Sequence, residues 1–240
     1  MKCVILAAGY ATRMYPLTEN FPKPLLKVGK KTIIDWLIDD IGDLADEFVV
    51  ISNHKFAGIF QEWAQGKNNI VVVDDGTSTN ETRLGAVCDI QFAIEKVRLE
   101  DDLLVLAGDN VLDFSLRSFI AYAQKIGTSC TMRYPEADEK KLRRSGVSEV
   151  EGERLVSFEE NPAEPRSQWC TPPFYYYIAN DVKKIREAIA EGCETDAPGS
   201  LAAWMCRKST MHSMVMPGKR YDIGNPEIYL AMKDSYTGPA

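Results

Sequence analysis

Histidine is almost missing from this chain: His54 and His212 are the only two in 240 residues. Neither has a cysteine or second histidine at zinc-ligand spacing, which argues against a structural zinc site and against chemistry built on a histidine with a local partner. Cys3, Cys88, Cys130, Cys170, Cys193 and Cys206 form no C-x-x-C pair. In a chain of this length they read as reduced, mostly buried thiols of a cytoplasmic protein. No G-x-S-x-G elbow is present, and no G-x-x-x-x-G-K-[ST] phosphate loop. No apolar run reaches the roughly 18–20 residues of a membrane span, and the N-terminus carries no signal-peptide pattern. Basic charge is short as well, with 28 Lys and Arg against 35 Asp and Glu, a net −7. Long nucleic acid, which demands a basic surface, is therefore a poor partner.

The charge that is present is unevenly placed. Lys2, Arg13, Lys23, Lys27, Lys30 and Lys31 face Glu19 alone within the first 31 residues, a local +5 that leaves −12 for the remainder. Hydrophobic residues make up 45% of the chain, and their spacing alternates between short apolar runs and helical periods. Strands are predicted at 3–7, 48–51, 70–73 and 103–106, with helices at 32–44, 56–65, 84–97 and 115–126 between them. Fully apolar strands separated by helices indicate a Rossmann-like, mostly parallel α/β sheet with helices on both faces. After about residue 127 the pattern changes. Strands are expected at 128–134, 146–150, 153–159, 173–178 and 211–216, and helices at 181–191, 199–207 and 226–234. The economical reading is one mixed α/β domain over residues 1–240, whose second half is a mixed-strand, substrate-shaping insertion.

The chemistry-bearing segments begin at the first strand. Leu6-Ala7-Ala8-Gly9-Tyr10-Ala11-Thr12-Arg13 is a strand running into a small-residue turn. In open α/β sheets ligands bind beyond the carboxyl ends of strands. Small residues there let backbone N–H groups approach phosphate oxygens, and one arginine can grip them bidentately. Taken by itself, the segment is equally a tight turn with a solvated arginine. Further on, Phe21-Pro22-Lys23-Pro24 brackets a lysine between two prolines, which stiffens the backbone and aims one ammonium.

Read together, L-A-A-G-Y-A-T-R-M-Y-P-L-T-E-N-F-P-K-P-L resembles the N-terminal motif of the sugar-phosphate nucleotidyltransferases, commonly L-A-A-G-x-G-T-R-x-x-P-x-T-x-x-x-P-K-P. The second glycine of that pattern is Ala11 here; alanine resists a positive φ, so a slightly reshaped loop is expected. Ala107-Gly108-Asp109-Asn110 at the end of the fourth strand, and Asp222-Ile223-Gly224-Asn225-Pro226-Glu227, resemble the two metal-binding segments of the family. Alone, either aspartate is as readily a turn or cap residue. The resemblance extends to about residue 234 and implies a glycosyltransferase-A-like fold. It also implies Mg2+ on Asp109 and Asp222, and a nucleotide site made of Leu6, Ala7, Ala8, Gly9, Arg13, Thr82, Gly85 and Asp109. Residues 1–127 would form the nucleotide-binding half, and residues 128–240 the acceptor-binding half with the second metal ligand. Gly85 lies in the segment with which the family reads the base. Thr82 is alternatively the N-cap of the following helix, and the two readings are compatible.

Gly146 and Ser157-Phe158-Glu159-Glu160-Asn161-Pro162 resemble the family's sugar-phosphate segment, usually F-x-E-K-P. They imply acceptor contacts from Lys23, Gly146, Glu160 and Asn161. Two departures fall here: Asn161 replaces the lysine, and Pro172-Pro173 stands where many members have Thr-Gly. Tyr175 and Tyr177 share one face of a predicted strand, where their rings would stack on a sugar or cage a quaternary ammonium, or simply form core.

The resemblance implies nucleotidyl transfer from an NTP to a phosphorylated small-molecule acceptor, usually a sugar 1-phosphate, with pyrophosphate released. The acceptor is already an anion, so no general base is needed, in keeping with the scarcity of histidine. Arg13 and Lys23 are the expected catalytic residues, acting by positioning and charge neutralisation. A cytidylyltransferase for phosphocholine or another non-sugar phosphate is the alternative, motivated by Asn161 and the aromatic cluster. A glycosyltransferase would normally show D-x-D, where this chain has Asp109-Asn110-Val111. A decayed nucleotide-sugar binder would have lost one or more of the four residues Arg13, Lys23, Asp109 and Asp222. The C-terminus leaves no room for an appended β-helix domain, so a monofunctional chain is expected; a homo-oligomer is compatible with this reading.

Overall fold

The computed structural model describes residues 1–239. Its strands are β1 Lys2–Leu6, β2 Lys27–Val28, β3 Lys31–Thr32, β4 Glu47–Ser52, β5 Ile70–Asp74, β6 Leu103–Ala107 and β7 Asn110–Leu112. They continue with β8 Ser129–Pro135, β9 Gly146–Glu151, β10 Arg154–Glu160, β11 Trp169–Thr171, β12 Phe174–Tyr177, β13 Met211–Val215 and β14 Arg220–Asp222. The helices are α1 Ile33–Ile41, α2 His54–Trp63, α3 Ala86–Val97, α4 Arg117–Ile126 and α5 Glu139–Leu142. After them come α6 Ala179–Val182, α7 Ile185–Ala190, α8 Pro198–Lys208 and α9 Pro226–Lys233.

Two compact units share the chain. One holds residues 1–83, 107–117 and 217–240; the other holds 84–106 and 118–216. Neither is continuous in sequence.

In the first unit β1, β4 and β5 pair in parallel, with Val4 opposite Val49 and Val49 opposite Val71. Their central residues carry apolar side chains because both faces of such strands are covered; Cys3, Val4, Ile5 and Phe48 through Ile51 are fully buried. Helix α1 presents Ile33, Ile34, Leu37, Ile38 and Ile41 on one stripe. It begins where Thr32 Oγ1 accepts the Asp35 amide at 3.2 Å and ends at Gly42, whose φ of 54° suits a residue without Cβ. Two short ribbons, β2–β3 and β7–β14, complete this unit. A buried cluster of Met14, Leu26, Val28, Ile33, Val111, Ile223, Tyr229 and Tyr236 binds them together. It ties the Arg13 turn, the first hairpin, α1, the β7–β14 ribbon and the C-terminal segment into one scaffold.

The second unit is mixed, with strand order β11-β9-β10-β13-β8-β12-β6. Only β13 and β8 run parallel; β12 is antiparallel to both β6 and β8. The predicted helix over 181–191 is two pieces, α6 and α7. The Lys184 amide bonds to the Asp181 carbonyl three residues back, at 2.9 Å, so a tight turn interrupts the helical ladder. Helix α3 starts at Ala86, since Gly85 takes φ 88°. Thr82 does not cap it: its hydroxyl belongs instead to a capping box with Thr79 around a single turn at Asn80–Thr82.

Candidate active site

Beyond the carboxyl end of β1 the chain enters a turn anchored from several sides. The Ala7 amide bonds to the Ile51 carbonyl at 2.9 Å, and Asn53 Nδ2 donates to the Ala8 carbonyl at 2.8 Å. Tyr10 OH reaches the Thr77 carbonyl at 3.0 Å. Leu6 is half-buried, Ala7 and Ala8 are buried, and Gly9 stands exposed at the crest, with no atom within 4 Å of where a Cβ would lie. Ala11 takes φ 48° and ψ 41°. Its methyl group therefore does not turn the loop away from the left-handed region, contrary to the expected reshaping. The Met14 amide and the buried Thr18 hydroxyl both bond to the Ala11 carbonyl, at 2.9 and 2.8 Å, and hold it there. Arg13, exposed, projects from the short turn that follows, while Met14 beside it is fully buried as the anchor.

Lys23 opens a second short turn, Lys23–Leu25, with Pro22 and Pro24 buried on either side. Its Nζ lies 2.6 Å from Asp109 Oδ2, and the two side chains are 12% and 30% exposed. Asp109 follows Gly108, whose amide bonds to the Leu6 carbonyl at 3.0 Å; a Cβ on Gly108 would lie 3.0 Å from that same oxygen. The glycine lets the chain pass close to the end of β1.

The second aspartate arrives through the ribbon. Strands β7 and β14 are antiparallel and place Asp222 opposite Asn110, while the Ile223 amide bonds to the Asp109 carbonyl at 3.0 Å. The Asp222 carboxyl is raised above the ordinary carboxylate range, first by desolvation and next by the Asp109 charge; Lys23, Arg220 and Arg13 act in the opposite direction. By surface area Asp222 is nonetheless exposed. One part of this unit thus brings together two carboxylates and three cations. Two anionic groups that repel at short range while facing solvent suit a hard cation, which relieves the repulsion. Among the described residues no group of three or more His, Cys, Asp or Glu side chains is arranged to hold a metal. A cation here would take two protein carboxylates and fill its shell with substrate oxygens and water, a donor set typical of Mg2+.

Thr82 lies in the first unit, and the second holds Gly85, Gly146, Glu160, Asn161 and Tyr175. Gly85 sits where a Cβ would meet the Thr195 carbonyl oxygen at 2.5 Å, so its φ and its surroundings both require glycine. Gly146 and Glu160 are register partners across β9 and β10, and Thr171 faces Gly146 from β11. Glu160 is pushed up to about 7 by burial, with the Gly199 amide acting against the shift and the Glu194 charge adding to it. A Cβ at Gly199 would overlap Glu160 Oε1, so this glycine at the start of α8 makes room for the acid. Asn161 has φ 48°, a conformation asparagine tolerates better than most residues, and its amide bonds to the Ser145 carbonyl at 3.1 Å. Tyr175 is buried at 2% exposure and its ring stacks on Tyr177 at 6.2 Å between centroids. The aromatic strand is core and presents no open cage.

Sequence reasoning passed over Asn110, Arg220, Asn53 and Thr18. Only Thr18 had a readable signal, as the threonine that follows the proline in the opening motif.

The first unit is thus an α/β scaffold with cations and two carboxylates gathered beyond the carboxyl ends of its strands. The family model described as "Nucleotidyl transferase" matches residues 2–238, and the chain belongs to that family. A Sulfolobus acidocaldarius protein provisionally named a mannose-1-phosphate guanyltransferase is 28% identical over 188 residues, covering 77% of this chain and 50% of the relative. The Haloferax volcanii UTP–glucose-1-phosphate uridylyltransferase AglF is 25% identical over 95% of this chain and 93% of its own length. The chain therefore spans half of the first relative and nearly all of the second. Among solved structures, a protein of Bacillus anthracis provisionally named a glucose-1-phosphate thymidylyltransferase superposes with a TM-score of 0.82. It is 19% identical, with 99% of this chain and 97% of that one covered. The shared architecture is the glycosyltransferase-A-like α/β fold of nucleotidyltransferases. Among the described residues no helix is long and apolar enough to cross a membrane.

Proposed function

We propose that the chain joins an NTP to a sugar 1-phosphate, giving an NDP-sugar and pyrophosphate. The observation that carries this reading is the convergence of Lys23, Asp109, Asp222 and Arg13 in one part of the first unit. The acceptor phosphate oxygen attacks the α-phosphorus of the NTP; a new P–O bond forms there, and the bond from the α-phosphorus to the bridging oxygen breaks to release pyrophosphate. No proton has to be removed from the acceptor, so the site needs no base. Arg13 grips the triphosphate and stabilises the departing pyrophosphate. Lys23 carries three N–H donors: one stays on Asp109 while the others draw the acceptor phosphate and the α-phosphate together. Asp109 and Asp222 would hold Mg2+, which when bound neutralises phosphate charge and orients the reacting oxygens.

Backbone amides of Ala8 and Gly9 line the phosphate path, next to Ala7, whose own amide is held by the Ile51 carbonyl, while Thr82 and Gly85 belong to the base-reading segment. Glu160, set beside Gly146 and Gly199, takes acceptor hydroxyls. With a carboxyl titrating at about 7 it both donates and accepts near neutrality. Asn161 supplies no charge to an acceptor phosphate, whereas Lys23 does. The names of the relatives favour a sugar 1-phosphate, and the burial of Tyr175 and Tyr177 removes one of the two motives for a choline-type acceptor. Asp109→Asn tests the assignment. Pyrophosphate release should fall at least about 100-fold with the thermal transition retained; near-normal turnover would remove Asp109 from the chemistry.

A further inference from the structure

Asn110 is 1% exposed, and its two ends are both engaged. Its Nδ2 donates to Asp109 Oδ1 at 2.7 Å, and its Oδ1 accepts from Arg220 Nη1 at 2.7 Å. A guanidinium has donors and no acceptor, so Arg220 decides which end of the Asn110 amide faces it. The amide oxygen turns to Arg220, and the NH2 group is left for Asp109. With Oδ1 held from this side, Asp109 presents Oδ2 to Lys23 at 2.6 Å. The β7–β14 register adds the last constraint: Asn110 is the partner of Asp222, and Arg220, two residues before Asp222, lies on the same face of β14.

We propose that Arg220 and Asn110 are positioning residues that fix the Asp109 carboxylate through a hydrogen-bond relay running in one direction, Arg220 to Asn110 to Asp109. Its functional consequence rests on the cation-dependent reading of the site given above. The relay gives Arg220 a part beside the two carboxylates: it acts on Asp109 through an amide whose orientation it sets. Supporting partners of this kind commonly change metal affinity by about 10–100-fold when removed.

The relay and plain electrostatics predict opposite signs for one substitution. Arg220→Met removes a positive charge near Asp222, which by Coulomb attraction alone tightens cation binding. The relay predicts weaker binding, because the Asn110 amide is freed to flip and Asp109 loses its fixed rotamer. Titrating the full-length protein with Mn2+ and reading free Mn2+ by electron paramagnetic resonance separates the two. The expected result is an affinity loss of about 10-fold or more for Arg220→Met and for Asn110→Ala. Arg220→Lys, which keeps both the charge and the donor-only end, should recover most of it. The relay is overturned if Arg220→Met binds Mn2+ as tightly as the parent protein or more tightly, or if both variants only lower the melting temperature. Should Asn110→Ala fail to fold, the half-buried Arg220 still decides the question. Pyrophosphate release by the parent protein is measured alongside. Release together with unchanged Mn2+ affinities in the variants sinks the relay alone, whereas no release, with Mn2+ affinity indifferent to Asp109→Asn, sinks the underlying reading and the relay with it.

Discussion

Ala11 offers a test in which the size of the effect follows from the backbone. Its φ of 48° and ψ of 41° place an L-residue with a Cβ in the left-handed region, at a cost of about 1–2 kcal/mol. The Met14 amide and the Thr18 hydroxyl, both bonded to the Ala11 carbonyl, keep it there. Ala11→Gly removes the steric cost but adds chain entropy to the unfolded state, worth about 0.4–1 kcal/mol in the other direction. The net expectation is a stabilisation of about 0.5–1 kcal/mol, or roughly 1–4 °C in the melting temperature of a chain this size. Differential scanning calorimetry of the two proteins side by side is the assay. A lower melting temperature for Ala11→Gly would refute the reasoning, since it would mean that the methyl group contributes more by packing than it costs in strain.

Two further substitutions probe the second unit. The Glu160 carboxyl is raised from 4.5 to about 7, so between those values the folded protein holds a proton that the unfolded chain has already released. Stability therefore falls as pH rises through that window, by about 3 kcal/mol at most. Glu160→Gln should melt higher than the parent at pH 8, with the gap closing towards pH 4.5; a gap independent of pH would contradict the burial argument. Gly85→Ala combines a φ of 88° with a Cβ 2.5 Å from the Thr195 carbonyl oxygen. It should lose about 2 kcal/mol or more in urea unfolding, and an unchanged midpoint would show that this backbone shifts freely.

Periodicity reveals what is long and repetitive. The apolar strands β1, β4, β5 and β6 and the striped helix α1 were legible because their side chains alternate or recur over a whole element. The ribbon that joins the two aspartates was not. Asn110-Val111-Leu112 and Arg220-Tyr221-Asp222 are strands of three residues, too short for a period of two to register, and they pair across more than a hundred positions. Motif resemblance brought Asp109 and Asp222 under suspicion together, but only pairing shows Asn110 and Arg220 between them. Local chemistry also misled in one place. Thr82 carries a good capping side chain, yet the positive φ of Gly85 lets α3 start after a bare glycine, and Thr82 instead ends a shorter turn whose N-cap is Thr79. The tyrosine strand was open to two readings, and its central position between β6 and β8 made it core. Asn161, chemically the wrong residue for a phosphate grip, is suited to the left-handed backbone it occupies.

The most direct test of the whole account is pyrophosphate release by the purified chain with Mg2+, measured over a matrix of the common NTPs against sugar 1-phosphates and phosphocholine. Rapid release is predicted for at least one pair of NTP and sugar 1-phosphate, abolished by Lys23→Met and by Asp222→Asn and absent with phosphocholine. Release with phosphocholine alone, or NDP-sugar binding with no release in any cell of the matrix, would contradict the assignment.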